Sequence, residues 1–274
     1  MGYNSIFYES SKYYGKASVA EYRINPGIRA KFDTLFHHLT RKGWTQFLRS
    51  LDIGCGGSPF TRLLACAQRI FVDLSFAPLR GLRGENLVQA DLAHIPFRQG
   101  SFHVMVGTDV IEHLPHDDVA VKELGRIGAN KAILILTVPH NPSLWSASDL
   151  YEGHFRRYSV ERLVKLLVGG GFSIASIFKI YGVYFLMRAA QSRDRKNTQA
   201  LRFPIRARKS KKTSAEFILS DVVNLLRKLA QNKLFRVLYL PFVLIFSRLI
   251  MCDACILPFS KASEIGIVAQ IARG

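Results

Sequence analysis

Short apolar runs alternate with helical patterns along most of the chain. A strand of a parallel sheet that is buried on both faces is expected to be continuously apolar rather than alternating. Seven runs of this kind predict strands, at residues 47–53, 69–72, 86–89, 103–107, 131–138, 172–182 and 264–272. Helical patterns lie between them at 59–67, 117–127 and 160–168. Strands that alternate with helices favour an α/β fold whose parallel sheet is covered on both faces.

Capping residues mark the ends of two predicted helices. Ser159 stands at the N-cap of the 160–168 helix, and Glu161 lies in its first turn, where a negative charge is favourable. The glycines 169–171 then end this helix. Ser58 and Pro59 are typical of an N-cap and a first helical residue, so we predict that the 59–67 helix begins there.

The segment 183–262 differs in composition from the rest of the chain. Residues 188–212 contain ten Lys or Arg and a single acid, Asp194. A helical pattern follows, with one apolar face made by Ile218, Val222, Leu225, Leu226 and Leu229. Residues 237–259 are the most apolar part of the chain. We therefore expect a basic and apolar, mainly helical insertion before the last strand.

The apolar stretch 237–259 is predicted not to span a membrane. Its longest uncharged run, 237–247, has eleven residues, whereas a spanning helix needs about 20. Arg248 and Asp253 interrupt the remainder, and Pro241 is expected to break a helix. The pattern leaves two possibilities open, a helical element that lies on a membrane surface and a helical cap that folds over the sheet.

The charge of the chain favours an anionic partner. The 274 residues, enough for one large α/β domain, include 38 Lys and Arg against 20 Asp and Glu, a net charge of +18. Nucleic acid, anionic lipid headgroups and a phosphorylated substrate are all compatible with this charge. The segment 1–16 has no apolar signal-type region, and the four cysteines show no disulfide pattern. We therefore expect a cytoplasmic protein.

Two of the cysteines, Cys252 and Cys255, have the spacing of a redox or metal motif. A zinc site would need a second pair of cysteines or nearby histidines, and a redox pair would follow a strand at the start of a helix. Neither condition is met in this apolar run. We interpret both residues as small buried thiols, and the sequence predicts no metal site.

The glycine-rich stretch LDIGCGGSPF, residues 51–60, predicts a ligand site. A strand that leads into a glycine turn and a helix is typical of a site for a nucleotide-like cofactor. The dinucleotide pattern requires a third glycine where this chain has Pro59. Asp52 would repel a pyrophosphate but attract an ammonium group, and Asp73 ends a strand where an acid can bind ribose hydroxyls. A ligand with a ribose and an ammonium group and no phosphate is S-adenosylmethionine.

Five segments in this order resemble the class I methyltransferases that depend on S-adenosylmethionine (SAM). LDIGCGG and IFVDLS resemble the first two motifs of that family, and VQADLAHIPFRQGSFHVMV resembles the segment that meets the adenine. TDVIEHL resembles the segment beside the methionyl end of the cofactor. The family's later helix and the start of its next strand resemble GHFRRYSVERLVKLLVGGGF. The resemblance covers residues 48–182 and is closest to quinone-biosynthesis, small-molecule and glycan methyltransferases. The chain departs from it at Ser58, often a glycine, and in the insertion.

This resemblance implies a fold and a division of the chain. The expected fold is a Rossmann-like three-layer α/β sandwich, with a mostly parallel seven-stranded sheet whose last strand is antiparallel. The predicted parts are a helical lead-in at 1–48, a SAM-binding core at 49–182, the insertion at 183–262 and the last strand with the C-terminus at 263–274.

The resemblance also implies S-adenosyl-L-methionine as cofactor and a set of site residues. The expected cofactor contacts are Asp52, Gly54, Cys55, Gly56, Asp73, Leu74, Asp91, Leu92 and Asp109. The expected acceptor contacts are Glu112, Arg156, Arg157 and Tyr158, and the candidate catalytic residues are His113 and His154. A packing role is the alternative for both histidines, and Arg156 and Arg157 alternatively anchor the loop and the end of the helix.

The acceptor is the least defined part of the predicted function. Methyl transfer from a sulfonium requires alignment of the acceptor, and a base only if the acceptor loses a proton. The apolar stretch beside a basic run favours a small-molecule acceptor that is lipid-linked or membrane-associated, such as a quinone precursor, a polyprenyl lipid or a glycolipid. The alternatives are an RNA methyltransferase that holds phosphates with the basic insertion and a non-catalytic SAM-binding scaffold. The sequence does not predict the oligomeric state.

Overall fold

The computed structural model describes residues 22, 24–56, 59–82, 84–182 and 233–272. The predicted basic run 188–212, the amphipathic pattern that follows it and Ser58 lie outside the described residues.

Seven strands form one sheet in the order β3-β2-β1-β4-β5-β7-β6. Their bounds are β1 Gln46–Ile53, β2 Ala65–Asp73, β3 Asn86–Gln89, β4 Phe102–Thr108, β5 Gly128–Pro139, β6 Phe172–Tyr181 and β7 Glu264–Ile271. Strand β7 pairs antiparallel with β5 and β6, and the remaining pairs are parallel. The predicted strands and the mostly parallel seven-stranded sheet are confirmed.

Helices cover both faces of the sheet. Their bounds are α1 Pro26–Arg41, α2 Phe76–Leu79, α3 Asp117–Ile127, α4 Ala147–Tyr151, α5 Val160–Gly169 and α6 Lys233–Ile256. Leu124 of α3 and Leu167 of α5 belong to the buried cluster on one face. Phe32 and Leu35 of α1 and Ile250 of α6 belong to the cluster on the other face. The predicted three-layer arrangement is therefore confirmed, with α1 and α6 as neighbours in one layer.

The predictions for the helices differ in outcome. Helices α3 and α5 match their predicted ranges, and the Ser159 side chain accepts a hydrogen bond from the Arg162 amide at 3.2 Å as an N-cap. The predicted helix at 59–67 is wrong, because only a 3₁₀ turn, Phe60–Leu63, forms before β2 begins at Ala65. Pairing of β2 with β1 extends back to Ala65, so the sheet takes residues that the helical pattern had suggested.

Helix α6 is continuous, contrary to the prediction that Pro241 breaks it. An interior proline costs a helix about 3 kcal/mol, but Val243, Ile250 and Ala254 are buried on the side that packs against α1 and β6. This packing favours a continuous helix. By length and composition alone, α6 also meets the criterion for a membrane-spanning helix among the described residues, over Tyr239–Ile256.

The two cysteines near the end of α6 are exposed, so the prediction of buried thiols is wrong. Cys252 and Cys255 lie on either side of Ala254, which points toward the protein interior. The helical period carries both thiols to the outside, a placement that the apolar composition of the run did not indicate.

Candidate cofactor and acceptor site

The glycine turn after β1 has a backbone that only glycine adopts without strain. Gly54 and Gly56 have φ values of 56° and 47°. A Cβ added to Gly54 would lie 2.7 Å from both methyl carbons of Val110. The Cys55 amide donates to the Val72 carbonyl at 3.1 Å, which holds the turn against β2. The turn therefore presents bare backbone at the carboxyl end of the sheet, as close approach of a cofactor requires.

Asp73 joins the end of β2 to this turn. Its carboxylate accepts hydrogen bonds from the amides of Gly56 at 3.1 Å and Ser75 at 2.9 Å. Burial raises the pKa of Asp73, and these backbone donors oppose the shift. Because a carboxylate has about four acceptor positions, Asp73 retains capacity for the ribose hydroxyls that the sequence predicts. The adjacent Leu74 is 38% exposed, so its side chain remains accessible to an adenosine group.

Asp52 has a structural partner that the sequence did not indicate. Its carboxylate accepts from the amide and the hydroxyl of Thr61, at 2.9 and 2.8 Å. Burial raises the pKa of Asp52 to about 7. Asp52 thus ties the 3₁₀ turn to β1, and its predicted role toward the ammonium group of the cofactor remains a prediction.

The remaining predicted cofactor contacts lie along the same edge. Asp91 is exposed after β3 and accepts from the Ala93 amide at 2.9 Å, while Leu92 is buried beneath it. The Cys55 side chain is buried with Phe71 and other apolar residues, which leaves only its backbone on the turn for a ligand. The backbone of Ala90 donates to the Asp73 carbonyl at 3.1 Å, so the adenine and ribose segments are joined.

Asp109 follows β4 in a left-handed conformation, with φ 56°. Its amide donates to the Thr137 carbonyl at 3.1 Å, and its carboxylate accepts from the Thr137 hydroxyl at 2.9 Å. The Lys31 ammonium of α1 donates to the other carboxylate oxygen. Non-glycine residues rarely adopt this conformation, and such residues concentrate at functional sites. The contacts with Thr137 and Lys31 hold the strained residue at the predicted methionyl end.

Lys31 is an unpredicted member of the site. Its side chain is 8% exposed, and its ammonium lies 2.7 Å from Glu264 Oε1 as well as beside Asp109. Burial lowers the pKa of Lys31, but the two carboxylates outweigh burial and raise it well above its usual value. Burial would raise the pKa of Asp109, but the charge of Lys31 outweighs burial and lowers this pKa. The ammonium therefore stays charged and holds α1 against the acceptor side of the sheet.

The predicted acceptor residues Glu112, His113 and His154 converge in space. One potential ligand atom from each lies within 4.8 Å of the others, and the two imidazole rings are 4.7 Å apart. Burial raises the pKa of Glu112 well above its usual value. Burial and the charge of His154 lower the pKa of His113 to about 4. His113 is therefore neutral at pH 7, and it is a weak general base because its pKa is far from the operating pH.

Arg156, Arg157 and Tyr158, which are also predicted acceptor contacts, make hydrogen bonds within the protein. The Arg156 guanidinium donates to the carbonyls of Leu114 and Pro115, at 2.7 and 2.8 Å. Arg157 donates to Asp149 at 2.8 Å and to the His140 carbonyl at 3.2 Å. The Tyr158 ring is fully buried, and its hydroxyl donates to Asp117 at 2.8 Å. In this structure the three side chains anchor the loop and the helix end, which was the alternative for the two arginines.

Several residues that line the predicted acceptor side were not identified from the sequence. Lys31, Thr137, Asp149 and Glu264 lie far apart along the chain, in elements whose patterns read as ordinary helix or strand. One available signal was the charge of Glu264, which stands at the start of a strand that is otherwise almost entirely apolar. A charged residue there is costly to bury unless it is paired.

Comparisons with known proteins agree with this geometry. Residues 51–136 match the family described as methyltransferase domain. A protein of Mycobacterium tuberculosis, named as a probable S-adenosylmethionine-dependent methyltransferase, is 29% identical over 130 residues, 44% of this chain and 47% of the relative. A malonyl-acyl-carrier-protein O-methyltransferase of Legionella pneumophila is 31% identical over 120 residues, 38% of this chain and 42% of the relative. The chain spans less than half the length of these relatives.

Solved structures show the same fold. Phosphoethanolamine N-methyltransferase 2 of Haemonchus contortus, in complex with S-adenosyl-L-methionine, has a TM-score of 0.52 and 16% sequence identity. The match covers 88% of this chain and 53% of that chain. Together, the matched segment and the strand order identify a class I S-adenosylmethionine-dependent methyltransferase domain within this chain.

Proposed function

We propose that the chain catalyses methyl transfer from S-adenosylmethionine to a small-molecule acceptor that is lipid-linked or membrane-associated. The cofactor half of the proposal is supported by the glycine turn and by Asp73, whose carboxylate is fixed by two backbone amides beside that turn. When bound, the cofactor supplies an already activated methyl group. The protein then has to orient the acceptor and exclude water, and it needs no covalent nucleophile.

The residues beyond the turn are suited to orientation. Asp109 and Thr137 are fixed to each other at the end of β4 and β5, and Lys31 closes this edge from α1. Glu112 and His113 come three and four residues after Asp109, in a 3₁₀ turn. Lys31 is buried, and its contacts with Asp109 and Glu264 tie α1 to the end of β4 and the start of β7 at this edge.

The observation that carries the acceptor class is the outer face of α6. Its exposed apolar side chains are Leu240, Phe242, Leu244, Ile245, Phe246, Leu249 and Ile256. Ile245 and Leu249 are 61% and 57% exposed. Monomeric proteins rarely expose a large contiguous apolar patch unless it binds a partner or a membrane.

Helix α6 also leads to the acceptor side. The loop that follows it is fixed to the residues after β5, through Asn141 to the Ser260 carbonyl at 2.9 Å and His140 to the Ser263 carbonyl at 2.8 Å. Glu264 comes next and contacts Lys31. An apolar chain lying along α6 would therefore end near the acceptor pocket.

The packing of α6 favours a helix that lies on a membrane over one that spans it. Val243, Ser247 and Ile250 are buried on the protein side, so lipid cannot surround the helix while this contact exists. Basic residues near an anionic surface each contribute about 1 kcal/mol, and the chain has a net charge of +18. The O-methyltransferase relative named for malonyl-acyl-carrier protein supports an oxygen acceptor, and the proposal extends this to a lipid-linked one.

Cofactor binding is tested by calorimetry with S-adenosylhomocysteine. We expect saturable binding, which Asp73→Ala weakens by about 1–3 kcal/mol because hydrogen bonds to a charged group are lost. Asp118→Ala, which removes an exposed acid of α3, is the matched control and should bind normally. Tighter binding of NAD than of S-adenosylhomocysteine would refute the cofactor assignment.

Membrane association is tested by flotation with vesicles of phosphatidylglycerol and phosphatidylcholine. The chain should float with anionic vesicles at low salt and be released as salt increases. The double variant Ile245→Ser/Leu249→Ser should lose flotation, whereas Val168→Ser, at an equally exposed apolar position on α5, should retain it. Absence of flotation at low salt would show that α6 is a cap of the domain and not a membrane element.

The acceptor class is tested with radiolabelled SAM. The protein is incubated separately with lipid, RNA and small-metabolite fractions of the source organism. Label in the lipid fraction is expected. Label in RNA alone would support the RNA alternative, and cofactor binding without label in any fraction would support the non-catalytic scaffold.

A further inference from the structure

Glu112, His113 and His154 form a cluster that differs chemically from the rest of the acceptor side. Two imidazoles and one carboxylate present potential ligand atoms that all lie within 4.8 Å of one another. The set joins the turn after β4 to the loop before α5, which lie about forty residues apart in the printed sequence. Two histidines and one carboxylate are the ligand set of catalytic zinc sites and of non-haem iron sites.

Glu112 lacks a partner for its carboxylate. The residue is fully buried, and neither carboxylate oxygen has a hydrogen-bond partner outside its own residue in the part of the chain that the structure describes. Buried polar groups are otherwise nearly always paired, and an unpaired buried carboxylate is strongly unfavourable. A cation between Glu112 and the imidazoles would remove this cost.

Each imidazole is already oriented by an outer partner. His154 Nδ1 lies 3.0 Å from Asp149 Oδ1, and the His113 ring hydrogen-bonds to the Gly153 backbone. Asp149 is itself fixed by Arg157 at 2.8 Å and by the Ser146 amide at 2.8 Å. Metal-binding histidines typically donate their second ring nitrogen to a carboxylate or a backbone carbonyl, which fixes the tautomer and the ring.

We propose that Glu112, His113 and His154 bind a divalent transition-metal ion of the zinc class and leave open positions for an oxygen of the acceptor. This inference deepens the proposed function and rests on it for the role of the metal, but not for its binding. Imidazole nitrogens select zinc, iron, cobalt and related ions, whereas magnesium and calcium prefer sites made of oxygen ligands. A metal at this position would orient the acceptor oxygen and lower its pKa.

Binding requires a small inward movement of the side chains. Zinc lies about 2.0–2.1 Å from a histidine nitrogen or a carboxylate oxygen, so two of its ligand atoms are closer together than the 4.8 Å limit of this cluster. Movement of the Glu112 carboxylate, which no hydrogen bond from another described residue holds, would bring the ligand atoms together. His154 Nε2 is the nitrogen that Asp149 leaves available. The Glu152 carboxylate, 3.4 Å from Nε2, lies beside this position.

The test is a titration of the chelator-treated full chain with Co²⁺, followed by the visible absorption of bound cobalt. It is performed in a Cys252→Ser/Cys255→Ser background, because these exposed thiols would bind cobalt themselves. We expect saturable binding of one ion and displacement by Zn²⁺. Glu112→Gln and His154→Ala should abolish the absorption, and His116→Ala, at an exposed histidine three positions from His113, should not change it.

A second variant separates binding from folding. Asp149→Asn should weaken cobalt binding about 10–100-fold, the usual loss for an outer partner. Every variant is also titrated with S-adenosylhomocysteine, which should bind with unchanged affinity if the cofactor half is folded. Absence of saturable cobalt binding, or equal binding by Glu112→Gln and His154→Ala, would overturn the metal site. Cobalt binding without S-adenosylhomocysteine binding would instead refute the proposed function and leave the metal site in place.

Discussion

The buried carboxyl of Glu264 is expected to make folding stability depend on pH. Burial, followed by the negative charge of Asp109, raises its pKa from 4.5 to about 8, and the Lys31 charge only partly opposes this. The Lys31 ammonium lies 2.7 Å from Glu264 Oε1, yet that oxygen lacks a hydrogen bond of normal geometry. The ion pair therefore stabilises the charged form less than its short distance suggests.

The sign follows from proton linkage. A carboxyl whose pKa is higher in the folded than in the unfolded protein binds more protons when folded, so stability is greatest below pH 4.5 and decreases toward pH 8. Each pKa unit corresponds to about 1.4 kcal/mol, which makes ionisation of Glu264 cost up to about 5 kcal/mol above pH 8. Movement of Lys31 toward the charged carboxylate would reduce this value, so we expect about 2–5 kcal/mol.

The perturbation that isolates this effect is Glu264→Gln. The amide matches a protonated carboxyl in shape and does not titrate, so the variant and the wild type should have similar stability at pH 5. At pH 8.5 the variant should be the more stable by about 2–5 kcal/mol. Urea denaturation at half-unit pH intervals measures the difference. Parallel curves for Glu264→Gln and the wild type would show that Glu264 is ionised throughout and that the reasoning is wrong.

Two further substitutions test the cofactor edge and the anchoring loop. Gly54→Ala should abolish S-adenosylhomocysteine binding in calorimetry, because its Cβ would lie 2.7 Å from the Val110 methyls. The control is Gly43→Ala, which should bind normally. Gly43 also has a positive φ, but no atom of the described residues lies within 4 Å of an added Cβ. Tyr158→Phe should cost about 1.5–3 kcal/mol of stability in urea denaturation, because its hydroxyl donates to the Asp117 carboxylate and hydrogen bonds to charged groups have this value. Its cofactor affinity should be unchanged. Loss of cofactor or acceptor binding without loss of stability would instead support a direct binding role for Tyr158.

The sheet could be predicted from sequence because its strands carry a strong local signal. Strand β3 matches its predicted range 86–89, and the others differ mainly at their ends. The helix predicted at 59–67 failed because the local pattern competed with two distant partners: β1, which pairs with Ala65, and Asp52, which binds Thr61. Neither interaction can be read from the residues 59–67 themselves. The prediction that Pro241 breaks the helix failed for the same reason, because packing of α6 against α1 and β6 favours a continuous helix.

The cofactor side and the acceptor side of the candidate site differ in how far the sequence predicts them. The positions of the predicted cofactor residues could be read from the sequence, because the turn requires glycine at Gly54 and Gly56 and because strand ends fix where Asp73 and Asp109 lie. The acceptor side depends on side chains that reach across the fold. Arg156 had two possible roles in the sequence, and the structure shows contacts of the anchoring kind, with the carbonyls of the loop before α3.

The position of these residues indicates where acceptor selectivity is encoded. The matched methyltransferase domain, 51–136, contains the glycine turn and Asp109 but neither Lys31 nor Glu264, the two residues that close the acceptor edge. It also excludes His154 and the whole of α6. Enzymes that bind the same cofactor need a similar backbone around it, whereas different acceptors need different side chains around the acceptor site. Acceptor selectivity should therefore change with substitutions in α1, α6 and the start of β7, while S-adenosylmethionine binding should respond mainly to those within 51–136.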